Sequence, residues 1–152
     1  MPSCSPETGG DYPWTEEVLP TRLDIIPEAE TGLLSALEDL GYDEDHWFAV
    51  RLALEEALVN AMKHGNRMDP SRKVRMAYRI APDRVDIRVR DEGQGFNPQG
   101  VPDPTIDENL RRPCGRGIML MRSYMDSVRF SCGGNEVHMV KYRQPRQGGM
   151  AP

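Results

Sequence analysis

From about Asp43 to His64 the apolar residues Trp47, Val50, Leu54, Ala57, Leu58 and Ala61 return at every third or fourth position. That spacing predicts one helix of roughly six turns with a single apolar stripe, ended by Gly65-Asn66. A stripe of that length must be buried, and the pattern changes directly afterwards to provide a partner surface. Val74, Met76, Tyr78 and Ile80 alternate with polar residues, and Val85, Ile87 and Val89 do the same after Ala-Pro-Asp. Period two on both sides of a short turn predicts a hairpin of adjacent antiparallel strands.

The rest of the chain fits around this unit. Val18 to Ile26, interrupted by Pro20, reads as an edge strand, because proline cannot donate to a central ladder. Pro27 opens a second helix over Glu28–Leu40, with Leu33, Leu34, Leu37 and Leu40 at helical spacing and Gly41 as its stop. Gly117 to Met125 is helical through Ile118, Leu120, Met121 and Tyr124. Val128-Phe130 and Val137 to Tyr142 form a closing hairpin around Gly133-Gly134. The order β-α-α-β-β-loop-α-β-β has too few alternating β-α units for a doubly wound sheet. It predicts an α+β fold, with helices covering one face of a largely antiparallel sheet.

Composition bounds what this fold serves. A chain of 152 residues is one ordinary domain. Residues 1–15 and 144–152 are rich in Pro, Gly and Ser and read as mobile tails, leaving 16–143 as the folded domain. Nineteen Lys and Arg against 24 Asp and Glu give a net charge of −5, which argues against a broad electrostatic grip on nucleic acid. No apolar run approaches the ~18 residues of a membrane span, and MPSCSPETGG lacks the basic and apolar segments of a signal peptide. A cytoplasmic protein is expected. Cys4, Cys114 and Cys132 show no C-x-x-C spacing and read as free thiols.

Three local patterns carry chemistry. Glu56, Asn60 and Lys63 are separated by steps of four and three, which places a carboxylate, an amide oxygen and an ammonium on one helix face. A magnesium-nucleotide site uses such a set; a solvated helix face shows the same spacing. Asp91-Glu92-Gly93-Gln94-Gly95 follows the Val85–Val89 strand, so a carboxylate ends a strand beside two glycines that permit close approach of a ligand. Asn97-Pro98 opposes the helix that a dinucleotide fingerprint would need there, and no G-x-x-x-x-G-K-[ST] run exists. Gly115-Arg116-Gly117 precedes the Ile118–Met125 helix, where free N–H groups favour an anion. Between these lies a stretch from Gly93 to Arg116 without sustained period, read as a functional lid.

In this order, Glu56-x-x-x-Asn60-Ala-x-Lys63-His64-Gly65, Asp91-x-Gly93-x-Gly95 and Gly115-x-Gly117 resemble the N, G1 and G2 boxes of the GHKL ATPases, over about residues 18–143. Within that superfamily, Glu56 ahead of Asn60 and the run Gly-Arg-Gly-Ile-Met-Leu-Met resemble the bacterial anti-sigma factor serine kinases of the RsbW type. The resemblance implies a two-layer α/β sandwich of the Bergerat type that binds ATP and Mg²⁺. It implies Glu56 as general base, Asn60 as Mg²⁺ ligand, Lys63 at the phosphates and Asp91 at the adenine amino group. Gly93 and Gly95 would pass close to the base, with Gly115, Arg116 and Gly117 against the phosphates. It further implies partner switching, in which the kinase holds a sigma factor and phosphorylates an anti-anti-sigma protein of the STAS type, and it is compatible with homodimerisation. A nucleotide-gated binding module without catalysis stands as the alternative.

Overall fold

The computed structural model describes residues 12–93 and 113–143. Five strands form one antiparallel sheet: β1 (Thr15–Pro20), β2 (Lys73–Ile80), β3 (Arg84–Arg90), β4 (Ser127–Ser131) and β5 (Glu136–Tyr142), in the order β1-β2-β3-β5-β4. Among the described residues three α-helices, α1 (Ile26–Asp39), α2 (Glu44–Val59) and α3 (Pro113–Tyr124), pack over it. The expected order of elements and both expected hairpins are observed.

Local signals account for most boundaries. Asp43 caps α2 by accepting the His46 N–H at 2.9 Å, which satisfies one of the donors left open at a helix start. Pro27 occupies the first turn of α1, and Gly41, at φ 78°, supplies the left-handed residue just beyond its end. Three boundaries move. The first strand ends at Pro20 rather than running to Ile26, and a single 3₁₀ turn at Leu23–Ile25 leads into α1. The long central helix is α-helical only to Val59, and Asn60–Gly65 continues it as a π-turn. The last helix starts at Pro113, so Gly115-Arg116-Gly117 lies inside its first turns instead of ahead of them. Proline is tolerated at such a start because its missing N–H would have no helical partner.

The helix-facing side of the sheet is apolar. Leu33 and Leu37 of α1, Leu54 and Leu58 of α2, and Met121 of α3 meet Val74, Met76, Ile87 and Met139 of the sheet in one cluster. Leu58 is fully buried, so Leu58→Ala falls in the range of about 2–5 kcal/mol for such truncations. The opposite face holds a buried polar network. The Asp86 carboxylate accepts from Arg84 at 2.8 and 3.0 Å and meets the His138 ring nitrogen Nε2 at 2.9 Å, with Arg79 at 3.5 Å. Burial pushes the Asp86 pKa up, but the bonds from His138 and Arg84 and the charges of Arg84 and Arg79 outweigh it, leaving about 2. Trp14 covers this network, with the Arg79 and Arg88 guanidinium groups 4.5 and 4.3 Å from its ring centroid. Among the described residues, no helix is long and apolar enough to cross a membrane.

Candidate active site

Helix α2 delivers Glu56 and Asn60, both half-buried, to the point where α3 crosses it. Gly117 is the contact. A Cβ built there would lie 3.1 Å from Glu56 Oε1, 3.1 Å from Asn60 Nδ2 and 3.3 Å from Asn60 Oδ1. Two of the three sequence patterns thus converge, and glycine is what allows the α3 backbone to come so close. Lys63 does not join them. It is exposed and outside the cavity lining, whereas His64, one residue on, does line it. The same-face expectation assumed 3.6 residues per turn, and a π-turn winds with an i→i+5 pattern that shifts the face each later residue presents.

The third pattern arrives from β3. Asp91 leaves the strand with its N–H donated to Asn135 O at 3.0 Å, and its Oδ1 accepts the Gly93 N–H at 2.8 Å. A Cβ on Gly65 would fall within the Asp91 carboxylate, and one on Gly93 would collide with the Gly65 carbonyl. Glycine at both positions is a packing requirement of this corner. Asn66 fastens it. Fully buried, it donates from Nδ2 to Thr21 Oγ1 at 2.9 Å and to Lys73 O at 3.0 Å, and its Oδ1 accepts the Glu92 N–H at 2.8 Å. Sequence reasoning took Asn66 only as a helix stop, yet it ties the end of the π-turn to the exit of β3.

Beside these groups lies a cavity of about 230 Å³, lined by Asn60, Gly65 and Asp91 but not by Glu56 or Gly117. Ala57, Ala61, Val89, Met121, Phe130 and Val137 give it apolar walls, and Asn60, His64, Arg67, Asp91 and Asn135 bring polar groups to it. An apolar recess with a few converging polar groups is the usual form of a small-molecule site. Asn135 Oδ1 is buried without a hydrogen-bond partner among the described residues, although its Nδ2 donates to Gly93 O at 3.1 Å. Burial raises the Asp91 pKa, opposed by the Gly93 N–H and by the charges of Arg72 and Arg90. Burial and then the neighbouring Glu55 raise that of Glu56, making it a better proton acceptor once ionised. Burial and then Lys63 lower the His64 pKa, which favours neutral imidazole.

Gly95 and residues 94–112 of the expected lid lie outside the described residues, as does Cys4. Gly115 and Arg116 are placed on the α3 backbone only.

A model of the histidine kinase-like ATPase domain matches residues 19–141. The chain belongs to that family. Its two-layer α+β architecture, with helices on one face of an antiparallel sheet, is the Bergerat arrangement expected from the three boxes. Curated relatives of this chain include "Serine-protein kinase RsbW" of Listeria monocytogenes, 25% identical over 85% of this chain and 87% of the relative. Others of the same name are those of Bacillus licheniformis, at 30% over 81% and 79%, and of Bacillus subtilis, at 27% over 90% and 88%.

Proposed function

We propose that residues 16–143 form an ATP-dependent serine/threonine protein kinase that sequesters a sigma factor and phosphorylates an anti-anti-sigma antagonist of the STAS type. The observation that carries this reading is the convergence of Glu56 and Asn60 on Gly117, with Asn60 lining a cavity that Asp91 also lines. The family match and the names of the relatives support the chemistry.

The residues present suit nucleotide and metal. Asn60 offers a hard amide oxygen, and among the described residues no three His, Cys, Asp or Glu side chains gather as a metal cage. A Mg²⁺ held by one amide and by substrate phosphates fits that donor set. When bound, it would neutralise charge on the transferring phosphoryl group. Asp91 accepts a hydrogen bond from the adenine amino group, and the tight Gly65–Asp91–Gly93 corner fixes where that carboxylate stands. Gly115, Arg116 and Gly117 place the start of α3 at the phosphates. Lys63 reaches them only if its exposed side chain turns inward. Glu56 takes the proton from the partner's hydroxyl as its oxygen bonds to the γ-phosphorus and the bond to the departing ADP oxygen breaks.

Glu56→Gln keeps the shape and removes the base. Phosphate transfer to a purified anti-anti-sigma protein should fall by roughly 10²–10⁴, while Mg-ATP affinity by calorimetry stays within about twofold. Equal transfer rates in mutant and wild type would refute the assigned base. Asn60→Ala should instead weaken Mg-ATP binding itself.

A further inference from the structure

One residue beyond the π-turn, two consecutive residues enter the left-handed region, Arg67 at φ 54° and Met68 at φ 57°. Neither is glycine, and a side chain there crowds the neighbouring backbone. The chain therefore keeps a side chain where glycine would be conformationally easier, and strain of this kind gathers at ligand sites. Arg67 is exposed, and it belongs to the lining of the cavity together with His64, Gly65 and Asp91. No ion pair to another described residue engages its guanidinium.

Its position in the cavity follows from its neighbours. Gly65 abuts the Asp91 carboxylate, and Asn66 Oδ1 holds the Glu92 N–H, so residues 65–67 run beside 91–93. Gly65 stands at the opposite end of the π-turn from Asn60. Arg67 thus belongs with Asp91 rather than with the Glu56–Asn60–Gly117 cluster. A guanidinium is flat, delocalised and weakly hydrated, and it lies readily on the face of an aromatic ring.

We infer that Arg67 is a ligand-contacting residue whose guanidinium lies over the heteroaromatic base of a bound purine nucleotide while Asp91 takes the edge of that base. The inference rests on the nucleotide reading above and adds a residue to it. Arg67 selects for a flat base, and its contact is independent of the phosphates.

The test separates base from phosphate. The whole chain and its R67G, R67A and R67K variants are titrated with adenosine, which has no phosphates, and with magnesium tripolyphosphate, which has no base. R67G should melt no lower than wild type, because it relieves the backbone. Adenosine affinity should fall about tenfold in R67G and R67A and recover only in part in R67K, which lacks the planar group. Tripolyphosphate affinity should stay within twofold throughout. Unchanged adenosine binding in R67G, a loss confined to tripolyphosphate, or a lower melting temperature for R67G would each overturn the assignment. A wild type that binds neither probe would overturn the nucleotide reading along with it.

Discussion

Replacing Gly117 by alanine sets two effects of opposite sign against each other. Gly117 is buried inside α3, where alanine is favoured over glycine by about 1 kcal/mol of helix propensity. For a chain of this size, that raises the melting temperature by roughly 2–4 °C if nothing else changes. The new Cβ would stand 3.1 Å from Glu56 Oε1 and Asn60 Nδ2, and 3.3 Å from Asn60 Oδ1. Each polar atom has to retreat by a few tenths of an ångström to reach ordinary contact. Both side chains can swing, so the protein folds, but they then stand off the geometry proposed for holding Mg-ATP. We expect a tenfold loss of Mg-ATP affinity, about 1.4 kcal/mol. At a ligand concentration 100 times the wild-type Kd, binding stabilises wild type by about 2.7 kcal/mol and the variant by about 1.4 kcal/mol. Thermal melts with and without Mg-ATP read both effects. The apo variant should melt at or above wild type, and its ligand-induced shift should be about half as large. An undiminished shift would show that Gly117 does not abut the groups that hold nucleotide, and an apo midpoint several degrees lower would show that the side chains cannot yield.

Two further outcomes are expected. Glu30 on α1 is 3% exposed; burial and then Glu55 raise its pKa from 4.5 to about 7, against the opposing charge of Arg51, whose Nε lies 3.7 Å away. The folded state therefore holds a proton that the unfolded chain releases between those values, and stability contributed by this group is lost as pH rises through about 7. Glu30→Gln removes that dependence, so its urea-unfolding free energy should gain about 2.5 kcal/mol on wild type between pH ~5 and ~8.5, and a constant gap would refute the buried-carboxyl reading. Asp91→Asn retains an acceptor for the Gly93 N–H yet offers the adenine amino group a neutral oxygen in place of a charged one. Calorimetry should show ATP affinity down by about tenfold with the fold unchanged, and undiminished affinity would remove Asp91 from the base contact.

What could be read in the sequence was what repeats locally. The α2 stripe, the two period-two runs and the closing hairpin each announce themselves within a few turns or a few residues, whereas the pairing of β3 with β5 that joins the two hairpins has no local signal. Glu56, Asn60, Asp91 and Gly117 were legible because each occupies a fixed offset in a short pattern. Asp86 was not. Its place in an alternating strand marks it as outward-facing, which normally means solvent, whereas here it is buried against His138, 52 residues away. Nothing within β3 encodes that partner, and Trp14, which covers the network, falls in a segment whose composition reads as tail.

The same limit explains why the corner at Gly65–Arg67 was only half understood. Gly-Asn after an apolar stripe signals that a helix stops, and it does stop, but the signal is equally satisfied by a terminus open to solvent. What distinguishes this one is tertiary. Asn66 spends its amide on Thr21, Lys73 and Glu92, and this anchorage holds the following residue in a left-handed conformation that, in a sequence, only glycine normally advertises. A strained arginine leaves no compositional trace. It becomes visible once the backbone is known, and the cavity beside it then gives the strain a chemical reason that the stop signal alone could not.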